Sequence, residues 1–174
     1  MEYSNIYEKI KLLTGSGMWH TREAEGLPSV HLSDGPHGLR KQEEKERQNN
    51  VSLVSTCYPT ASALACSWNV TAAERLGRAV AKEAWNADVA VLLGPGINMK
   101  RSPLCGRNFE YFSEDPFLAG RLGAAYVSAA QGENVAVSLK HFAANNQETN
   151  RQTSNSQIDE RALREIYLSA FEYV

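Results

Sequence analysis

Residues 89–96, VAVLLGPG, form an apolar run that stops at Gly-Pro-Gly, and they lie between two long segments of helical periodicity. A run of strand length with no polar alternation predicts a strand buried on both faces. Ahead of it, NVTAAERLGRAVAKEAWNAD places Leu76, Val80 and Ala84 on one helical face, with Glu74 and Arg78 spaced as an i,i+4 pair. Behind it, SEDPFLAGRLGAAYVSAAQG places Leu118, Leu122, Ala125 and Ala129 on one face. Asp115 is the natural N-cap of that helix, Pro116 its first residue and Gly132 the residue past its end. Amphipathic helices flanking a doubly buried strand imply a parallel sheet with right-handed crossovers.

The same alternation extends outward. In LPSVHLSDGPHGLR a short strand, Ser29 to Leu32, breaks into a Gly/Pro turn, and PTASALACSW supplies small and apolar residues of strand length. Val135 to Leu139 reads as a further strand. A last helix from about Asp159 carries Leu163, Ile166, Tyr167, Ala170, Phe171 and Val174 as one stripe. A short first helix is marked by Ile6, Ile10 and Leu13, and KQEEKERQNN, residues 41–50, is a charged loop without an apolar face. Trp85 falls within a helical pattern and reads as core. The fold class is therefore α/β with about four strand-helix units and parallel strands. Periodicity alone does not separate an open doubly wound sheet from a (β/α)8 barrel, which needs eight units and usually roughly 250 residues. The chain has 174, and its last apolar stripe is still running at Val174, as expected of part of a longer barrel.

A net charge of -2 gives no excess of positive charge to recruit nucleic acid or an anionic membrane. Cys57, Cys66 and Cys105 are odd in number and lack a CxxC pair, which argues against a disulfide framework and a structural zinc site. Reduced thiols and the absence of an apolar leader lead us to expect a cytoplasmic protein. His20, His31 and His37 have no carboxylate or histidine at metal-ligand spacing, so no metal is expected. LLGPGIN lacks the full GxGxxG of a dinucleotide site, and no cofactor is expected.

In parallel α/β folds functional groups gather at the carboxyl ends of the strands. Those ends carry Asp34 and Arg40, then Arg107 and Glu110, then Lys140, His141, Glu148 and Arg151. Such a collection suits a sugar, whose hydroxyls each donate and accept and must exchange water for fixed partners. A carboxylate accepts from two neighbouring hydroxyls, while Arg, Lys and His donate to the remaining oxygens. Trp19, Trp68 and Phe109 offer apolar faces to a sugar ring. Each residue alone also has a structural reading: Asp34 as a turn cap, Lys140 and His141 as a solvent-reaching strand edge, Arg107 and Glu110 as a loop ion pair.

Taken in order, LPSVHLSDGPHGLR, YPTASALACSWN, LLGPGINMKRSPLCGRNFEYFSEDP and SLKHFAANNQETNR resemble the N-terminal domain of glycoside hydrolase family 3, the β-glucosidases and related exo-acting enzymes. The resemblance implies that residues 1–174 are the first half of an incomplete (β/α)8 barrel domain. It also implies that the sugar at subsite -1 is bound by Asp34, Arg40, Arg107, Lys140, His141 and Arg151. Retaining hydrolysis needs two carboxyl groups about 5 Å apart. The family takes its nucleophile from an Asp in an SDW-like motif and its acid/base from a later Glu, both beyond Val174. No catalytic residue is therefore expected in this chain, which is expected to be inactive alone, and the partners implied are a β-glucoside or oligosaccharide and either the rest of the barrel or a second copy. Two other readings stand beside this one. Lys140 at a strand end is also the residue type of a Schiff-base nucleophile, and the chain also fits a non-catalytic sugar-binding or assembly module.

Overall fold

The structure, a computed structural model, describes residues 6–42 and 51–174. Most of the expected polar loop at 41–50 therefore lies outside the described residues. Three strands, β1 (Leu32–Asp34), β2 (Val91–Leu93) and β3 (Ala136–Val137), pair in parallel in that order. Leu32 lies beside Val91 and Asp34 beside Leu93, while Val91 and Leu92 lie beside Ala136 and Val137. The ladder then resumes past the strand ends. Ile97 N–H donates to the Lys140 carbonyl at 2.9 Å and Lys140 N–H donates to the Pro95 carbonyl at 3.1 Å.

Two long helices make the layer that covers the sheet. The helix Val70–Asn86 starts at Asn69, whose side chain accepts from Ala72 N–H, and the helix Pro116–Gln131 starts at Asp115, whose carboxylate accepts from Phe117 and Leu118 N–H. Asp115, Pro116 and Gly132 occupy the positions expected of them. Leu76, Val80 and Ala84 on one helix and Leu122 and Tyr126 on the other are buried against Val89, Leu92 and Val135 of the sheet layer. The helices approach so closely that a Cβ on Gly77 would sit 2.4 Å from the Tyr126 carbonyl oxygen. Arg78 reaches across to Glu133, 3.3 Å away. No helix among the described residues is long and apolar enough to cross a membrane.

Three expectations are corrected here. PTASALACSW does not form a strand: Thr60 caps a short helix, Ala61–Ala65, by accepting from Ala63 N–H. Ala and Leu favour that helix once a Thr begins it. The parallel α/β class stands, with three strands among the described residues where about four units were expected. The first strand begins at Leu32 and not at Ser29, because the preceding residues pair with the N-terminal segment, Thr21 N–H donating to the Val30 carbonyl and His20 bridging His31. Trp85 is 58% exposed and not core. It sits in the last turn of its helix, at the margin of the stripe that Ala81 and Ala84 fill. The final segment is helical from the Asp159 cap as expected, but it contains a π-helical stretch at Leu163–Tyr167 before it resumes at Ser169–Tyr173.

These contacts set two expected outcomes in urea unfolding. Gly77→Ala forces the two long helices apart and lowers stability by about 1–3 kcal/mol, and Asp115→Ala removes a cap worth about 1 kcal/mol. An unchanged midpoint for Gly77→Ala would contradict the close helix crossing.

Candidate functional site

The strand register decides what meets at the top of the sheet. Asp34 ends β1, Gly96 follows β2, and Lys140, three residues past β3, is bridged to Gly96. The turn after Asp34 is held by Arg40 N–H donating to the Asp34 carbonyl at 2.9 Å. Gly35, at φ +113°, permits it, since a Cβ there would lie 2.0 Å from the Gly38 carbonyl oxygen. A side chain is excluded at that position, which is why DGP reads as backbone geometry as much as chemistry.

Lys140 ties three strand ends together. Its Nζ donates to Asp34 Oδ1 at 2.8 Å and lies 3.4 Å from Glu110 Oε2. Glu110 is 5% exposed and also accepts from Arg107 Nε. Arg107 continues the network to His141, its Nη2 2.6 Å from His141 Nε2. The other face of the imidazole is 2.8 Å from the Tyr111 hydroxyl, to which Asn145 Nδ2 donates at 2.8 Å. Asn145 Nδ2 also donates to Glu148 Oε1 at 2.9 Å, and Arg151 Nη1 donates to Glu148 Oε2 at 3.0 Å. Asn98, buried, fixes the His141 backbone by a reciprocal pair, accepting from His141 N–H at 2.6 Å and donating to its carbonyl at 2.8 Å.

Above this network is an open cleft of about 850 Å³. Asp34, Arg40, Arg107 and Arg151 line it, together with Glu110 and Glu148. Lys140 and His141 lie at its base, attached to the lining side chains and not among them. Phe109 offers its ring to the cleft and stands edge-on to His37, whose buried Nε2 has no hydrogen-bond partner among the described residues. Trp68 lines a different cleft, beside Lys100 and Arg101, and Trp19 donates from its indole N–H to Gln42. Of the three aromatics expected at a sugar ring, Phe109 alone lines this cleft.

The six residues singled out in the sequence are thus on one rim or directly beneath it. Glu110 and Glu148 were visible at strand ends as well, although not counted among the ligands. Sequence reasoning missed Tyr111, Asn98 and Asn145. Tyr111 follows the Glu of GRNFEY, and its role depends on a histidine 30 residues later in the chain. Asn98 was visible only as a polar residue five positions past the end of β2.

Electrostatics follow from this crowding. Burial pushes the Asp34 carboxyl up, but the Lys140 ammonium, the Gly35 N–H and the Arg40 charge outweigh it and leave it below the usual range. Burial, reinforced by Arg107, pushes His141 down to about 4, so its imidazole is neutral at pH 7. Burial pushes the Tyr111 hydroxyl up to about 12, and it stays protonated. Lys140 bonds to one carboxylate and faces another, contacts that a free amine nucleophile would have to give up, so the geometry gives no support to the Schiff-base reading. Among the described residues no three His, Cys, Asp or Glu side chains group to hold a metal ion, and Cys57, Cys66 and Cys105 are all free.

The signs of these shifts set a pH dependence. A histidine favoured neutral in the fold contributes stability that is present above its unfolded value of 6.5 and is lost as pH falls towards about 4. Asp34, favoured ionised, contributes stability present above 3.8 and lost only below that. His141→Gln should therefore flatten the fall in urea midpoint between pH 6.5 and 4, while Asp34→Asn should flatten it below pH 3.8. His37, lowered by burial in the same way, leaves a residual slope in the upper window.

The model of the Glycosyl hydrolase family 3 N terminal domain matches residues 36–174. Thermostable beta-glucosidase B of Acetivibrio thermocellus is 52% identical over 96% of this chain, which spans 23% of that protein. An Exo-alpha-(1->6)-L-arabinopyranosidase of Bifidobacterium longum is 48% identical over 97% of the chain, again 23% of its own length. Beta-glucosidase 3B from Thermotoga neapolitana, solved in complex with glucose, superposes with a TM-score of 0.88 at 40% identity, over 98% of this chain and 26% of that one. The chain thus spans about a quarter of the length of these relatives. It belongs to glycoside hydrolase family 3, within the N-terminal domain of that family.

Proposed function

We propose that this chain supplies the sugar-gripping half of subsite -1 in an exo-acting, retaining β-glycosidase that removes terminal β-D-glucosyl residues. What supports the reading is the single cleft lined by Asp34, Arg40, Arg107 and Arg151 with Lys140 and His141 bonded beneath it. A carboxylate held ionised next to guanidinium donors can replace the water around a pyranose with charge-assisted hydrogen bonds. The relatives reinforce a terminal pyranoside as the substrate class, being β-glucosidases and an exo-acting arabinopyranosidase.

The cleaving step belongs elsewhere in this proposal. Retention needs a nucleophile and a proton-donating carboxyl about 5 Å apart. Each cleft carboxylate here is already held by a cation: Asp34 by Lys140, Glu110 by Arg107 and Lys140, Glu148 by Arg151. None is left as a free proton donor. The same pairings suit a second reading, a sugar-binding module that holds a glycoside without cutting it.

Two measurements test the assignment of the cleft as a sugar site that does not cleave on its own. Titration calorimetry or NMR titration of the 174-residue chain with glucose or a glucose-mimicking iminosugar should show binding, weakened about tenfold or more by Asp34→Ala, the scale of a lost charged hydrogen bond. Equal affinity in the variant would contradict the assignment. A chromogenic β-D-glucoside should not be turned over by the chain alone, and turnover would place a reacting carboxylate among the residues described.

A further inference from the structure

Arg40 sits in a short run of chain that leans on a second segment, residues 53–58. Three alternate carbonyls of the Arg40 run accept from that segment: His37 from Tyr58 N–H at 2.9 Å, Leu39 from Ser55 Oγ at 2.7 Å and Lys41 from Leu53 N–H at 2.8 Å. Gly38 lies against it as well, since a Cβ there would sit 2.5 Å from the Thr56 carbonyl oxygen. Ser55 and Cys57 line the sugar cleft together with Arg40. The segment therefore braces Arg40 and forms part of the cleft wall.

Little apolar burial holds this segment in place. Leu53 is 42% exposed, Val54 is fully exposed, and residues 53–57 are exposed as a run. A stretch of that kind opens readily unless hydrogen bonds restrain it. The restraint comes from the helix layer. Glu83, on the helix Val70–Asn86, accepts from the Tyr58 hydroxyl at 2.6 Å through one carboxylate oxygen and from Thr56 N–H at 3.2 Å through the other. Burial pushes the Glu83 carboxyl up, but the hydrogen bonds from Thr56 and Tyr58 outweigh it and leave it below the usual range. Both bonds are therefore charge-assisted at pH 7, the stronger kind.

We propose that Glu83 is a positioning residue for the sugar cleft: through Thr56 and Tyr58 it clamps residues 53–58 against the Arg40 run and so keeps Arg40 and the Cys57 wall in the arrangement that binds a pyranose. This rests on the sugar-site reading above and deepens it, because Glu83 itself does not line the cleft. Affinity falls in proportion to the fraction of molecules in which the clamp is open, and a closed clamp spares the ligand the cost of ordering the wall.

The test uses the 174-residue chain with glucose as the probe and two exposed thiols as reporters, Cys57 in the sugar cleft and Cys66 in the cleft beside Lys100. At a glucose concentration about ten times its dissociation constant, alkylation of Cys57 by iodoacetamide should slow about fivefold or more while that of Cys66 is unchanged. Glu83→Ala removes both bonds of the clamp and should weaken glucose binding about tenfold or more in titration calorimetry. Tyr58→Phe deletes one hydroxyl from an intact ring and should weaken it about threefold or more. Glu83→Gln keeps an acceptor oxygen and should recover part of the loss. Amide hydrogen exchange at Leu53 should quicken in step with the lost affinity, while the amides of the helix Pro116–Gln131 keep their protection and show that each variant is folded.

Unchanged glucose affinity in folded Glu83→Ala, or bound glucose that leaves Cys57 as reactive as before, overturns the proposal. So does a fall in the unfolding midpoint with the affinity of the folded chain unmoved, the mark of a purely structural glutamate. If Glu83→Ala does not fold, Tyr58→Phe decides, and wild-type affinity in that variant overturns the clamp. Glucose binding that Asp34→Ala weakens and neither clamp variant does removes the clamp alone and leaves the site reading standing. No glucose binding by the wild-type chain overturns both.

Discussion

Lys140 is the residue on which the arrangement of the site depends. Its ammonium, with the side chain 13% exposed, is held by Asp34 from one strand end and faces Glu110 from the loop after the next. A cation withdrawn from water is tolerated only where carboxylates and further hydrogen bonds replace its hydration. Two carboxylates do that here, and each has a second role, Asp34 towards the cleft and Glu110 towards Arg107. One partly buried charge thus links three segments far apart in the chain.

The consequences run outward from that point. Arg107 is oriented by Glu110 below and by His141 beside it, and Arg151 is oriented by Glu148. Side chains that would each have many rotamers in water are held before any ligand arrives. Binding then costs less in lost conformational freedom. Asp34, Glu110 and Arg107 line the cleft and are held by Lys140 and His141, which do not line it.

Much of the layout was legible in the sequence. The apolar run at 89–96 and the caps at Asp115 and Gly132 led directly to β2 and to the helix Pro116–Gln131, because a buried strand and a capped helix are local patterns read over a few residues. PTASALACSW was misread because strand length and apolar content do not distinguish a strand from a short helix, and the Thr60 cap decided it. Trp85 was misread because periodicity marks a face without saying where the partner helix stops. Tyr111 and Asn98 escaped notice because their partner, His141, comes from a different strand end, and Asn145 because its partner Tyr111 does.

What the sequence determined by itself was the inventory: a parallel α/β unit, polar residues concentrated after its strands, and four motifs in the order glycoside hydrolase family 3 uses them. Period, capping and spacing are properties of neighbouring residues, so they survive without coordinates. What only the tertiary structure decided was who bonds to whom. Asp34 and Lys140 are separated by 106 positions and meet at 2.8 Å because the strand register places their ends side by side. Hydrogen-bond direction is settled only when a donor and an acceptor share a distance, and no linear pattern carries that information.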